Sequence, residues 1–160
     1  MEVLVLLEWL HVIGACVLLG TGAGIAFFML MAHRTGNPAF IAHTAHIVVI
    51  ADVLFTATAA IVQPLTGIAL MWQVGWEFTE GWIVRARLIY VLSGAFWLPV
   101  VFIQIRLREL ARLADSAGPG LPGRYHALFR IWVLCGIPAF AAMLVMIWLM
   151  LARPAIEWFA

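Results

Sequence analysis

Four ionisable side chains stand where the sequence is otherwise apolar: His11, Asp52, Arg85 and Arg87. His11 lies about eight residues into the run Val3 to Ala32, a depth of roughly 12 Å if that run is a helix. Gly14 and Gly22, with Leu18 between them, follow it on the same helical face. Imidazole ligates haem iron and glycine lets a flat macrocycle lie close to the backbone, so this face suits a porphyrin with His11 as metal ligand. The same glycines, and Gly20-x-x-x-Gly24, also suit close helix packing, with the histidine hydrogen-bonding a neighbour. Arg85 and Arg87 fall at a comparable depth on the third apolar run. Guanidinium binds carboxylate through paired charge-assisted hydrogen bonds, which would hold haem propionates. Snorkelling to lipid phosphate, or pairing with Glu8, Glu77 or Glu80, would occupy them equally well. Met143, Met146 and Met150 form a stripe in which Met146 matches His11 in depth, giving either a His/Met iron pair or ordinary packing.

Asp52 offers a different chemistry and is the candidate catalytic residue. It leads Thr56, Gln63 and Thr66 at i, i+4, i+11 and i+14, one face of a helix. A lone carboxyl near the bilayer midplane keeps its proton unless a cation or hydrogen bonds stabilise the charge. Asp52 therefore suits a proton relay or the pairing of a substrate group, with helix–helix hydrogen bonding as the alternative. Each ionisable side chain in hydrocarbon costs about 2.5 to 3.5 kcal/mol on insertion scales, so each should face the interior and find a partner. His43, His46 and His126 belong at the membrane interface, and Cys16 and Cys135 are expected to be small core residues.

The elements that must position these groups follow from composition. Of 160 residues, 66% are hydrophobic and 11% charged, far from a soluble domain. At ~20 apolar residues per crossing, the chain holds four spans, near 3–32, 40–74, 83–105 and 131–152, in a single transmembrane domain. His33-Arg34-Thr35-Gly36-Asn37-Pro38 separates the first two. Pro64 should kink the long second span. Gly75-Trp76-Glu77-Phe78-Thr79-Glu80-Gly81-Trp82 is an interfacial loop, since indoles favour the headgroup level. The third span continues as a polar helix in which Glu109 and Arg112 are i,i+3 neighbours, and Ser116 to Gly123 breaks it. The fold class is all-α: a membrane-embedded four-helix up-and-down bundle with a kinked second span and a helical extension of the third.

All nine basic residues are arginine, and with eight acids they leave a formal charge of +1, which points to no nucleic-acid surface. Arg34, Arg106, Arg108, Arg112, Arg124 and Arg130 fall on one side of the bundle, and Glu2, Glu8, Glu77, Glu80 and Glu157 on the other. The positive-inside rule makes the arginine side cytoplasmic and both termini periplasmic in an inner membrane.

Trp9-Leu10-His11-Val12-Ile13-Gly14, Ala51-Asp52 with Leu54-Phe55-Thr56, Gln63-Pro64-Leu65-Thr66-Gly67, Trp97-Leu98-Pro99-Val100 and Arg124-Tyr125-His126-Ala127-Leu128-Phe129-Arg130-Ile131-Trp132 resemble a bacterial family of predicted integral membrane proteins with a domain of unknown function. A more distant resemblance is to the four-span membrane protoporphyrinogen oxidase family. It rests on Trp9-Leu10-His11-Val12-Ile13 and on Gly81-Trp82 followed by Arg85 and Arg87, and it implies haem b with His11 as axial ligand. The sequence departs from that pattern at Leu18 and Phe27, where the family has an aromatic residue and an arginine. The leading expectation is a cytochrome-b-like or porphyrin-handling protein. The alternatives are a non-enzymatic scaffold that docks a membrane-protein partner through its arginine helix, or a proton-coupled transporter built on Asp52 that dimerises to form a path.

Overall fold

The computed structural model describes residues 2–118 and 120–153. Glu157 and Pro154, used above for orientation and for closing the last span, lie outside them. Among the described residues there are five α-helices: α1 (Glu2–Thr35), α2 (Pro38–Ala51), α3 (Thr58–Val74), α4 (Gly81–Ala117) and α5 (Gly123–Ala152). A single π-helical segment, Asp52–Ala57, joins α2 to α3. The 37 residues of α2 to α3 form one span, so four helices are long and apolar enough to cross a membrane.

Local chemistry sets the boundaries. Gly36 takes a left-handed conformation (φ 63°) after α1. Asn37 caps α2 by accepting from the Phe40 amide at 3.2 Å, and Pro38, lacking an amide proton, occupies the first turn where none is needed. Gly75 (φ 81°) ends α3. At ~1.5 Å per residue, α4 runs about 55 Å, well beyond a hydrocarbon core of ~30 Å. Its surplus is the polar extension, where Glu109 pairs with Arg106 at 3.0 Å rather than with Arg112. Both side chains of that pair are largely exposed, so it adds little stability.

One feature adds to the expectation and one differs from it. Pro64 sits inside α3, and the change of helix type comes earlier, at Asp52–Ala57. Cys16 is exposed, because it lies on a face of α1 that no other helix covers. Large apolar side chains such as Trp72, Phe102 and Leu151 are also exposed, the pattern of a bundle whose solvent is lipid.

The shared core lies toward the arginine-rich end. Met29 and Ala32 of α1, Ile41 and Ala45 of α2, Leu107 and Ala111 of α4, and Tyr125, Phe129 and Trp132 of α5 form one buried cluster. At the opposite end the helices divide into two pairs. α1 packs on α3, α4 packs on α5, and α3 makes no extensive contact with α4 or α5. The Tyr90 hydroxyl, donating to the Ala60 carbonyl, ties the pairs together.

Ala45 is completely buried whereas Leu151 is 81% exposed. Ala45→Leu should therefore wedge α2 off its neighbours and destabilise the protein by about 1–3 kcal/mol. Leu151→Ala should leave thermal unfolding in detergent unchanged, and equal effects of the two would contradict the placement of the core.

Candidate functional site

Asp52 opens the π-helical segment and is only 2% exposed. Carrying Asp52 and Thr56 on this irregular turn has a geometric consequence. A π turn holds an extra residue, which shifts every later side chain by roughly one residue's rotation, about 100°. Asp52, Thr56, Gln63 and Thr66 would share one face of a regular helix. In the structure Asp52 looks toward α4, while Gln63 and Thr66 meet α1.

Two α4 residues seven apart, Trp97 and Gln104, grip the carboxyl group. Trp97 Nε1 donates to Oδ1 at 3.2 Å. Gln104, 1% exposed, has one amide orientation that satisfies it: Nε2 donates to Asp52 Oδ2 at 3.1 Å and Oε1 accepts from Trp132 Nε1 at 3.3 Å. An indole can only donate, so Trp132 fixes which way the amide points. Every hydrogen bond in the set therefore runs toward Asp52, as a carboxylate requires. No salt bridge to Asp52 is recorded among the described residues. The Thr56 hydroxyl, one turn on, is buried beside the carboxyl group as a further donor.

A second polar cluster lies about 20 Å along the same span, fourteen residues at 1.5 Å each. His11 Nδ1 is 2.8 Å from Thr66 Oγ1, and the His11 ring covers Gly67, where an added Cβ would meet Cε1 at 3.4 Å. Thr66 Oγ1 also lies 2.9 Å from the Val62 carbonyl. Gln63 Nε2 also lies 3.0 Å from Nδ1 as a donor, so Thr66 and Gln63 both hold the ring at Nδ1. The Gln63 amide takes the orientation in which Nε2 donates to the His11 carbonyl at 3.0 Å and Oε1 accepts from the Ala15 amide at 2.9 Å. This clamp bridges two carbonyl and amide groups of α1 to α3.

Of the remaining predicted residues, Gly14 adjoins the His11 cluster through Gln63, and none of the recorded contacts of His11 involves the others. Gly14 faces Gln63, so the space above it is filled by protein, while a Cβ at Gly22 would meet nothing within 4 Å. Arg85 folds back on its own helix start, its Nη2 3.4 Å from the Cβ position of Gly81. Arg87 Nη2 donates to the Phe78 carbonyl at 2.8 Å and lies 5.5 Å over the Phe78 ring. Both belong to α4, which makes no extensive contact with α1. Met146 is half-buried on α5. The recorded side-chain contacts between α1 and α5 fall at the other end, where the His33 ring stacks on Phe129 at 3.8 Å and Nδ1 is 3.4 Å from the Tyr125 hydroxyl. His43, His46 and His126 are exposed.

Gln104 and the donor roles of Trp97 and Trp132 were not anticipated. The available signal was Gln104 itself, the one amide in the third apolar run, since a polar side chain there needs an interior partner.

Four apolar helices enclosing a hydrogen-bonded carboxylate define a polytopic α-helical membrane protein. Residues 5–154 match the family described as predicted integral membrane protein (DUF2269), and the chain belongs to that family. No curated protein and no solved structure matches it.

A Cβ at Gly14 would stand 3.1 Å from the Gln63 amide oxygen position, tight enough that the Gln63 clamp must shift. Gly14→Val should lower the unfolding temperature in detergent, at a cost of about 1–3 kcal/mol, whereas Gly22→Val should leave it unchanged.

Proposed function

We propose that the protein is a small ion-coupled membrane carrier in which Asp52 reversibly takes up a cation, in the simplest case a proton. The observation that supports this is the set of hydrogen bonds at Asp52: a buried carboxyl group in a lipid-facing bundle, oriented as an anion by neutral donors and lacking a recorded cationic partner among the described residues. An uncompensated negative charge there is costly. Binding a cation removes that cost, and releasing one restores it, so occupancy is coupled to the energy of the surrounding helices. The π turn is a place where such a change is absorbed, since irregular helical turns of this kind concentrate at functional sites. The looser end of the bundle, with its helices in two pairs, gives the path on one side, and a second copy of the chain would widen it. On the arginine-side-inward orientation that the loop charges favour, that end faces outward.

Proteoliposomes loaded with a pH-sensitive dye and given an inward proton gradient provide the test. Wild-type protein should acidify the lumen faster than empty vesicles, and Asp52→Asn, which keeps size and polarity, should lower that rate at least tenfold. A rate unaffected by Asp52→Asn would rule the reading out.

A second reading, a haem b protein with His11 as axial ligand, has one observation in its favour. The part-buried His11 ring is held through Nδ1 by Thr66 and Gln63, so that Nε2 is the nitrogen left to face a ligand. Haem would supply one-electron chemistry at that position. Gly14, Arg85 and Arg87 do not gather around His11 as a cradle, so no step is derived through it. Under this reading, protein purified in mild detergent after haem supplementation shows a Soret band that His11→Ala removes.

A further inference from the structure

Helix hydroxyls elsewhere in this bundle turn to the main chain. Thr44, Thr66 and Ser116 each donate to the carbonyl four residues earlier, at 2.9, 2.9 and 3.2 Å, the usual way a hydroxyl is satisfied inside a helix. Thr56, 7% exposed and carried on the π-helical segment, turns to the Asp52 carboxyl group instead. The carboxyl group therefore has three neighbours of unequal capability. Trp97 is an indole and can only donate. The Gln104 amide could present either end, but Trp132 Nε1, 3.3 Å from Oε1, keeps Nε2 turned to Asp52 Oδ2 at 3.1 Å. Only the Thr56 hydroxyl both donates and accepts, and its proton rotates freely about the C–O bond.

This inequality matters when Asp52 takes up a proton. A carboxylate needs donors, whereas a carboxylic acid carries an O–H that needs an acceptor, and an unanswered donor in a dry interior is costly. We propose that Thr56 is the positioning residue that accepts this bond, its hydroxyl reversing from donor to acceptor as the proton arrives, while Trp132 reserves the task for it by locking Gln104 as a donor. Resting on the ion-coupled reading above, this names the group that lets the carboxyl be filled and emptied. The step is balanced: an O–H bond forms on Asp52, its negative charge is neutralised, and Thr56 keeps its own proton, which swings to a main-chain carbonyl as in Thr44 and Thr66. No other titratable group is set to share the role. Between His46 and Glu77 Asp52 alone titrates. Between His11 and His33 on α1, Arg87 and Arg106 on α4, and Arg130 and Arg153 on α5, no residue is charged, and the titratable ones are Cys16, Tyr90 and Cys135. Cys16 is exposed, and the Tyr90 hydroxyl is committed to the Ala60 carbonyl.

Infrared spectroscopy of the whole chain in lipid, titrated with pH, reads the C=O stretch of a carboxylic acid, and the band missing in Asp52→Asn belongs to Asp52. In the wild type this band should grow as pH falls through a midpoint. Thr56→Val removes the acceptor but leaves Trp97 and Gln104 on the carboxylate, so it should lower the midpoint by about one pH unit, the worth of one hydrogen bond. Thr56→Ser, which keeps the hydroxyl, should hold the wild-type midpoint. Trp132→Phe frees the amide to offer Oε1 to the acid, and added to Thr56→Val it should raise the midpoint again by a similar amount, a recovery that a merely structural threonine would not give. The assignment is overturned by an Asp52 band that does not titrate, by a Thr56→Val midpoint at or above that of the wild type, by a Thr56→Ser midpoint as low as that of Thr56→Val, or by a double variant no higher than Thr56→Val. The two threonine variants decide it alone where Trp132→Phe does not fold. The dye-loaded vesicles keep the two claims apart: flux insensitive to Asp52→Asn overturns the ion-coupled reading, whereas the infrared midpoints overturn the role of Thr56 even where flux depends on Asp52.

Discussion

The Gln104 amide, held between the Trp132 indole and the Asp52 carboxylate, is the interaction on which the middle of this bundle depends. In hydrocarbon, no water repairs a misplaced polar group, so each polar atom inside the helices must be answered by another. Trp132 can only donate; it fixes the amide, and the amide in turn presents a donor to the carboxylate. α5, α4 and the second span are thereby joined through three side chains at one level. Packing alone would not choose this arrangement, because lipid tails are as apolar as the helices they touch and close contact is worth only its van der Waals complementarity.

A similar division of labour holds along the length of the molecule. At the arginine-rich end, residues from α1, α2, α4 and α5 interlock in one cluster, closed by the His33, Phe129 and Tyr125 rings. Toward the opposite end, contact is pairwise: the Gln63 and Thr66 clamp binds α3 to α1, and α4 runs beside α5. Aromatic and cationic groups close that face, with the Arg153 guanidinium 4.6 Å over the Trp76 ring and the Trp82 indole donating to Glu80 at 2.8 Å.

The four spans, their connections and the polar extension of α4 were legible because they rest on the length of apolar runs and on glycine and proline, signals that are local in the chain. The burial of Asp52 was legible too, from the cost of a carboxyl group in a span. What periodicity could not show was phase. A regular helix puts Asp52, Thr56, Gln63 and Thr66 on one face, and the π turn, which has no composition of its own, divides them between α4 and α1. Depth misled in a related way. His11, Arg85 and Arg87 were matched by distance along their helices, yet depth says nothing about which helices are neighbours, and α3 rather than α4 packs against α1. Cys16 was expected in the core on the strength of its type, but in lipid an apolar residue is equally at home outside.

Asp52 stands where the two regimes meet. On one side of it the helices share a core; on the other they separate into pairs linked by the bond from Tyr90 to Ala60, three residues beyond the end of the π turn. A charge change at Asp52 acts first on its bonds to Trp97 and Gln104, both on α4. The same helix carries Tyr90, two turns before Trp97, so a shift of α4 relative to the second span reaches the hydrogen bond from Tyr90 to Ala60 of α3. On the ion-coupled reading, a cation at Asp52 would act where the shared core gives way to the two pairs. That coupling needs an element with two arrangements of similar energy. The π turn, which carries Asp52 itself, lies at the junction where such an element would act.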